Sequence, residues 1–169
     1  IDAALVPALV TERTRAIMPV HLAGQPCDLD PILALGIPVV EDAAHAAESR
    51  YRNRKIGAIS DAACFSLYAT KNIAAGEGGL VATGRADVAE SIRNMRLTRR
   101  GDGSLYDQVS AGFKANLSDV LAAIALVQLD RVEEHARIRA RQFSLYDEGL
   151  AGLDGITPLA RDPLDLDGY

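Results

Sequence analysis

The sequence contains no tryptophan, and aromatic residues of all kinds make up only 5% of its 169 residues. It also lacks an excess of positive charge, because 18 Lys+Arg stand against 23 Asp+Glu and give a net charge of −5. A nucleic-acid-binding domain usually carries a strongly basic patch. We therefore expect no nucleic-acid partner.

Long hydrophobic runs are missing as well. The longest apolar stretches span only a few residues, whereas a transmembrane helix needs about 20. The first residues carry acidic side chains where a signal peptide would be basic. We expect no membrane partner and a cytoplasmic location.

Cysteine is scarce. Cys27 and Cys64 are the two cysteines, and no CxxC spacing connects them. Zinc sites and disulfide frameworks both need more cysteines at closer, recognisable spacings. We expect reduced thiols and no metal site.

An ample apolar fraction, 49%, is arranged in short runs that alternate with helical patterns. This alternation predicts an α/β fold with a mainly parallel sheet and flanking helices. The expected strands are "RAIMPVHL", "IPVVED", "DAACFSLY" and "GLVAT". The expected helices are "DLDPILAL" with Asp30 as a possible cap, "AAHAAESRY", the stretch from about Asp87 to Leu97, and a long stretch from Ser118, while "RRGDGS" is expected to be an exposed loop.

Four side chains with chemical potential follow the expected strands. Asp42 and His45 come after the second strand, and Ser66 and Lys71 come at the end of the third. Ligands of open α/β sheets collect at the carboxyl ends of strands, so we expect these four residues to converge on one crevice.

Together they suit a cofactor that has a pyridine nitrogen, an aldehyde and a phosphate. A carboxylate keeps the ring nitrogen protonated, and a lysine amine can bond to the aldehyde and later act as a base. A serine hydroxyl and a helix N-terminus can bind phosphate. Pyridoxal phosphate meets all of these demands.

Each residue also has an ordinary structural interpretation. A lysine after a strand is more often a solvated charge, and an aspartate there is more often a turn or cap residue. His45 alone is more often a hydrogen-bonded structural histidine, and Ser66 is ordinarily a strand serine. The spacing alone leaves both interpretations open.

Four blocks of the sequence resemble the DegT/DnrJ/EryC1/StrS family of pyridoxal-phosphate-dependent sugar aminotransferases. They are, in order, "MPVHLAGQPCDLDPI", "IPVVEDAAHA", "DAACFSLYATKNIAAGEGGLVAT" and "GFKANLSDVLAAIALVQL". Four ordered blocks are far more specific than one motif. The resemblance implies the aspartate aminotransferase fold, fold type I, with residues 1–151 as part of the cofactor-binding large domain and 152–169 as a linker toward a C-terminal small domain.

The resemblance also implies a role for each candidate residue. Lys71 matches the lysine that bonds to the cofactor and serves as acid and base, and Asp42 matches the acid that pairs with the pyridine nitrogen. Ala44 packs on the face of the ring, His45 lies next to the ring oxygen, and Ser66 binds the phosphate.

A sixth residue, Asn116, matches an asparagine that reaches the phosphate of the neighbouring subunit's cofactor. The resemblance therefore implies a homodimer with composite active sites. The reaction it implies is amination of a keto group on a nucleotide-linked sugar, as in polysaccharide biosynthesis, with glutamate as the usual donor.

Two alternatives remain beside the aminotransferase. Dehydratases of the same family have histidine where this chain has Lys71, so dehydration is disfavoured. The other alternative is a non-catalytic or truncated module that only dimerises. Because a full family member is much longer than this chain, we expect the 169-residue chain alone to be inactive.

Overall fold

A computed structural model of the chain describes residues 1–97, 99–100 and 108–158. Residues 101–104 of the expected exposed loop and residues 159–169 of the expected linker lie outside the described residues. The helices are α1 (Val6–Leu9), α2 (Asp30–Leu33), α3 (Ala86–Arg96), α4 (Asp119–Asp130) and α5 (Val132–Leu150), with 3-10 turns at Ala3–Leu5 and Leu22–Gly24. The strands are β1 (Val40–Asp42), β2 (Arg50–Tyr51), β3 (Arg54–Lys55), β4 (Ala62–Ser66), β5 (Gly79–Ala82), β6 (Arg99–Arg100) and β7 (Gln108–Ser110).

The central sheet has the strand order β1-β4-β5. Strands β1 and β4 are parallel, with Asp42 opposite Cys64, whereas β4 and β5 are antiparallel, with Phe65 opposite Leu80. The described segment 67–78 between β4 and β5 contains no helix, and a parallel crossover usually requires one. The α/β class is confirmed, but the described sheet is mixed rather than mainly parallel.

The segment "RAIMPVHL" adds a parallel edge next to β1 without forming a continuous strand. The carbonyl of Ile17 accepts a hydrogen bond from Val40 N at 3.0 Å. Pro19 has no N–H, so it removes a donor from this ladder. Ile17 and Pro19 are buried, whereas Met18 is 65% exposed, so the segment forms isolated bridges in place of the expected strand and one of its faces is open.

The predicted helix over "AAHAAESRY" is also wrong, because the segment forms turns that lead into β2. Ala46 N donates to Ala43 O, and Ser49 N donates to Ala46 O, at 2.9 and 3.2 Å. The buried Ser49 hydroxyl donates to Gly24 O at 2.5 Å. A serine that bonds to a distant carbonyl favours turns over a regular helix.

Helix starts were predicted with mixed success. Ser118 is the N-cap of α4, and its hydroxyl accepts a hydrogen bond from Leu121 N. The helix predicted from Asp87 is confirmed as α3. Asp30, in contrast, is the first residue of α2, whose N-cap is Leu29 and has no side-chain cap bond.

The core has two parts. One packs α2 and the 3-10 turn at Ala3–Leu5 against the sheet, with Leu29, Ile32 and Val39 fully buried. The other joins Leu67, Ile73 and Ala75, which surround Lys71 in the sequence, to Ala125 of α4 and Val132 of α5. The lysine segment is therefore packed between the sheet and the helix pair.

Candidate active site

A pocket of about 320 Å³ lies where β1 and β4 end. Asp42 and Ser66 are the last residues of these parallel strands, so both side chains reach the same edge of the sheet. The pocket is lined by these two residues together with Ala44, Cys64 and Gly78, among others. The structure thus brings together three of the six predicted site residues.

Local hydrogen bonds orient the side chains of Asp42 and Ser66 in this pocket. Asp42 Oδ1 accepts from Ala44 N at 3.1 Å, and Ser66 Oγ accepts from Tyr68 N at 3.3 Å. The backbone of Asp42 is held as well, because its N–H donates to Pro19 O at 2.9 Å. A hydrogen bond between residues that are close in sequence restricts a side chain to few orientations. The fold therefore positions the carboxylate of Asp42 and the hydroxyl of Ser66.

Lys71 lies in a turn directly beyond β4. Its backbone N–H donates to Tyr68 O at 2.9 Å, and the start of the segment is tied to the pocket because Leu67 N donates to Gly78 O at 2.9 Å. Lys71 is half-buried and does not line the pocket itself. The structure therefore ties the segment that carries Lys71 to Gly78, one of the residues that line the pocket.

The three lysines of the chain differ in their partners. Lys55 Nζ lies 2.6 Å from Glu133 and donates to Glu48 O at 2.9 Å. Lys71 Nζ has no hydrogen-bond or ion-pair partner among the described residues, and the same holds for the exposed Lys114. Of the two lysines without such partners, Lys71 is half-buried and lies in the segment that is bonded to the pocket residue Gly78.

His45 lies on the exposed side of the turn that follows β1. Its Nδ1 accepts a hydrogen bond from Ala23 N at 3.3 Å, and the residue does not line the pocket. The predicted contact of His45 with a cofactor ring remains a prediction.

Asn116 lines a second depression of about 460 Å³, together with Glu77, Gly79 and Ser118. Gly78 lines both this depression and the pocket of Asp42, so the two meet at that glycine. Asn116 is separate from the other predicted site residues within one chain. Its predicted role toward a neighbouring subunit remains a prediction.

Gly78 has a backbone conformation that favours glycine and a close neighbour that a side chain would displace. Its φ is +123°, and a Cβ atom built there would lie 2.5 Å from Leu117 Cδ1. L-residues with a side chain rarely adopt such a φ. The absence of a side chain lets the loop before α4 approach the start of β5.

Sequence reasoning did not select Cys64 as a site residue. Successive residues of a strand point to opposite faces, so Cys64 shares a face with Ser66, and this alternation was the available signal. Cys64 is exposed as a residue, but partial burial of its thiol is the main cause that raises the pKa of this group, and the charge of Asp42 raises it further. The pocket therefore disfavours the thiolate form of Cys64.

A buried pair that includes the pocket residue Glu41 was also not predicted. His21 Nδ1 accepts from Cys27 N at 3.1 Å, so the opposite nitrogen, Nε2, carries the proton and donates to Glu41 at 2.7 Å. The Ser60 hydroxyl donates to the other oxygen of Glu41 at 2.5 Å. The network joins the "RAIMPVHL" segment, β1 and the loop before β4.

No three His, Cys, Asp or Glu side chains in the described ranges are grouped so that they could hold a metal ion. None of the helices described there is both long enough and apolar enough to cross a membrane.

Comparison with known proteins gives one family and several close relatives. A model of the DegT/DnrJ/EryC1/StrS aminotransferase family matches residues 1–167. GDP-perosamine synthase of Caulobacter vibrioides is 43% identical over 157 residues, which cover 90% of this chain and 42% of that protein. The spore coat polysaccharide biosynthesis protein SpsC of Bacillus subtilis (strain 168) is 41% identical over 177 residues, covering 96% of this chain and 46% of that protein.

A solved structure shows the same relationship. The PLP form of Spr1654 from Streptococcus pneumoniae superimposes with a TM-score of 0.84 at 31% identity, covering 95% of this chain and 47% of that chain. This chain therefore spans less than half the length of the relatives that it matches.

Proposed function

Since this chain belongs to the DegT/DnrJ/EryC1/StrS aminotransferase family, we propose that the full-length protein is an aminotransferase that aminates a keto group of a nucleotide-linked sugar, with glutamate as the amino donor. The observation that carries the proposal is the pocket at the ends of β1 and β4, lined by Asp42 and Ser66, together with the hydrogen bond that ties the Lys71 segment to the lining residue Gly78. Similarity to GDP-perosamine synthase and SpsC supports a sugar substrate.

Family membership and the PLP form of a solved relative confirm the expected cofactor, pyridoxal phosphate. The residues present fit it, because a carboxylate, a hydroxyl and a small side chain line one pocket of about 320 Å³. When bound, this cofactor supplies an electron sink for a substrate carbanion. Asp42 would hold the proton on the ring nitrogen, Ala44 would pack on the ring, and Ser66 would donate to the phosphate.

Lys71 is the proposed catalytic residue. Its amine would attach the cofactor covalently and, once displaced by the substrate's amine, would take a proton from the substrate and return it at a neighbouring position. Lys71 has no competing partner among the described side chains, whereas Lys55 is bound to Glu133. His45 is proposed to approach the oxygen of the ring.

A homodimer is part of the proposal, because Asn116 does not line the pocket of Asp42 itself but a neighbouring depression that shares Gly78 with it. Helix α4, which follows Asn116, exposes Val120 by 71% and Val127 by 61%. A helix that is apolar on most of its surface is normally covered by protein. A second copy that covers α4 would bring Asn116 to its partner's cofactor.

The experiment is titration of the full-length protein with pyridoxal phosphate, followed by visible absorbance. We expect a band of the lysine-bound cofactor in the wild type and in Lys114→Ala, a control that removes an exposed lysine. Lys71→Ala should lose the band and the transamination of keto-sugars. A folded wild type without the band, or a Lys71→Ala variant that keeps it, contradicts the proposal.

The same sample distinguishes the second candidate, a module that only dimerises, which the exposed apolar surface of α4 favours. A stable dimer of the full-length protein that takes up no pyridoxal phosphate would support that candidate. Uptake of the cofactor together with amination of a nucleotide-linked keto-sugar would support the aminotransferase.

A further inference from the structure

The residue after Lys71 is held by a buried carboxylate from a distant part of the chain. Asn72 Nδ2 donates to Glu48 Oε1 at 2.6 Å. Glu48 lies in the turns between β1 and β2 and is only 5% exposed. A hydrogen bond to a charged acceptor in such surroundings is stronger than one in water, so it restrains the backbone that bears Lys71.

Glu48 is itself oriented by helix α5. Arg139 Nε donates to Glu48 Oε1 at 2.9 Å, and Arg139 Nη2 lies 2.8 Å from the same oxygen. Arg139 is 91 residues further along the chain than Glu48. One carboxylate oxygen thus connects the lysine turn to α5.

Apolar packing restrains the same turn from its other sides. Leu67 and Ile73, which flank Lys71, are buried in the cluster that contains Ala125 and Val132. The backbone around Lys71 is therefore anchored at both ends. Its own ammonium group has no partner within the described part of the chain.

The buried network is poorly explained by stability alone. A buried ion pair loses much of its Coulomb energy to desolvation, and replacing it with apolar residues is often neutral or stabilising. What the network does fix is the position of Asn72, and with it the adjacent Lys71.

We propose that Glu48, oriented by Arg139, is a positioning residue for Lys71. Glu48 acts on Lys71 through its hydrogen bond to the adjacent Asn72. This inference rests on the proposed function of Lys71 as the cofactor lysine. Small displacements of a reacting group cost about a hundredfold in rate, so a carboxylate that never touches the cofactor can still control how fast Lys71 bonds to it.

The first arm of the test needs no cofactor. Hydrogen exchange of the amides of Lys71 and Ala75, which donate to Tyr68 and Leu67, is measured in the full-length protein without cofactor. Asn72→Ala keeps the pair of Glu48 and Arg139 and should fold; we expect its exchange at these amides to rise on the order of tenfold, as local opening becomes easier. Glu148→Gln, which alters an exposed acid of α5 far from Lys55 in the sequence, should leave exchange unchanged.

The second arm measures the rate at which the visible band appears after pyridoxal phosphate is added. We expect Glu48→Ala and Asn72→Ala to slow attachment by about tenfold or more. Glu48→Gln keeps an oxygen that accepts from Asn72, so it should attach cofactor at nearly the wild-type rate even though its unfolding midpoint falls. A purely structural role predicts instead that rate follows stability in every variant.

The two arms separate the two possible failures. If the wild type attaches cofactor but both Asn72→Ala and Glu48→Ala match it in exchange and in rate, the positioning role is overturned and the proposed function stands. If rate follows stability across the variants, the positioning role is also overturned. If the wild type attaches none, the proposed function fails, and the positioning role, which rests on it, fails too.

Discussion

Asp42 is the residue whose surroundings say most about the pocket. Its carboxylate is oriented by Ala44 N, lies opposite Cys64 across the β1–β4 pair, and raises the pKa of that thiol. An acid that keeps a pyridine nitrogen protonated must remain fixed and charged. The reactivity of the Cys64 thiol therefore reports on the charge of Asp42.

Alkylation of Cys64 by iodoacetamide, followed by mass spectrometry, tests this interaction. The raised pKa lowers the thiolate fraction at neutral pH, so Cys64 should react more slowly than a free cysteine. Asp42→Asn removes only the smaller cause of the raised pKa. It should therefore speed the alkylation of Cys64 in part, because burial still raises the pKa of the thiol. Cys27, whose pKa burial raises to about 11, should be slower than Cys64 in both proteins.

A Cys64 that reacts as fast as a free thiol in the folded wild type contradicts this view of the pocket. So does an Asp42→Asn variant in which Cys64 reacts more slowly than in the wild type.

Asp61 makes the stability of the folded protein depend on pH in the acid range. Its carboxylate accepts from Val39 N at 2.9 Å and from Arg85 at 3.1 Å, and these bonds, the first above all, lower its pKa below the ordinary 3.8. A group with a lowered folded-state pKa stabilises the protein above its unfolded pKa, and that stability is lost as pH falls through the folded pKa. Asp61→Asn should therefore be less stable than wild type near neutral pH.

The difference between Asp61→Asn and wild type should shrink as pH falls below 3.8. Urea unfolding midpoints at several pH values measure it, with Asp154→Asn as an exposed control that should follow the wild type. An Asp61→Asn deficit that stays constant down to the lowest pH contradicts the linkage.

Single residues of the site were predictable to different degrees. Asp42 and Ser66 end adjacent parallel strands, so the rule that ligands collect at strand ends places them together. The pair of His21 and Glu41 was not predictable, since it depends on which two apolar segments pair and in what register.

At the scale of elements, the lysine segment between β4 and β5 determines the shape of the site. Its end is fixed by Gly78, where Leu117 leaves no room for a side chain. Gly76 in the same segment also has a positive φ, +95°, but nothing lies within 4 Å of a Cβ built there. A comparison of the two glycines therefore distinguishes the cost of an unfavourable backbone conformation from the cost of a close side-chain contact.

Alanine at these two glycines should give different losses of unfolding free energy. Gly76→Ala should cost about 1–2 kcal/mol from its backbone conformation alone. Gly78→Ala should cost on the order of 1–3 kcal/mol more, because the new methyl group overlaps Leu117. Urea denaturation measures both, and equal losses would show that Leu117 moves away without cost.

The elements themselves were predictable where one local signal dominated. Ser118 ahead of an acidic residue marked the start of α4, and the spacing of Val88 and Ile92 marked α3. Tertiary contacts decided the rest. The hydroxyl of Ser49 bonds to Gly24 and favours turns over the predicted helix, and β5 runs antiparallel because no helix precedes it.

For the molecule as a whole, helix α4 presents an extended apolar surface among the described residues. Val120, Leu126 and Val127 are each more than half exposed. Burying a side chain of this kind stabilises an interface by roughly 1.5–3 kcal/mol. The proposed homodimer accounts for this surface.

Val127→Asp in the full-length protein should weaken the dimer, since it places an unpaired charge in the proposed interface. Sedimentation equilibrium should show a dissociation constant raised about tenfold or more. Leu145→Asp changes a residue of α5 that is 59% exposed and should leave the dimer intact. If both changes raise the dissociation constant equally, or if neither raises it, the placement of the interface on α4 is contradicted.

The central claim is that Lys71, rather than Lys55 or Lys114, bonds to pyridoxal phosphate. Borohydride reduction of the full-length protein loaded with cofactor fixes this bond permanently, and peptide mass spectrometry then locates the modified lysine. We predict that the modification lies on Lys71 and disappears in Lys71→Arg. Modification of another lysine in the wild type, or none in protein that binds the cofactor, would contradict the account.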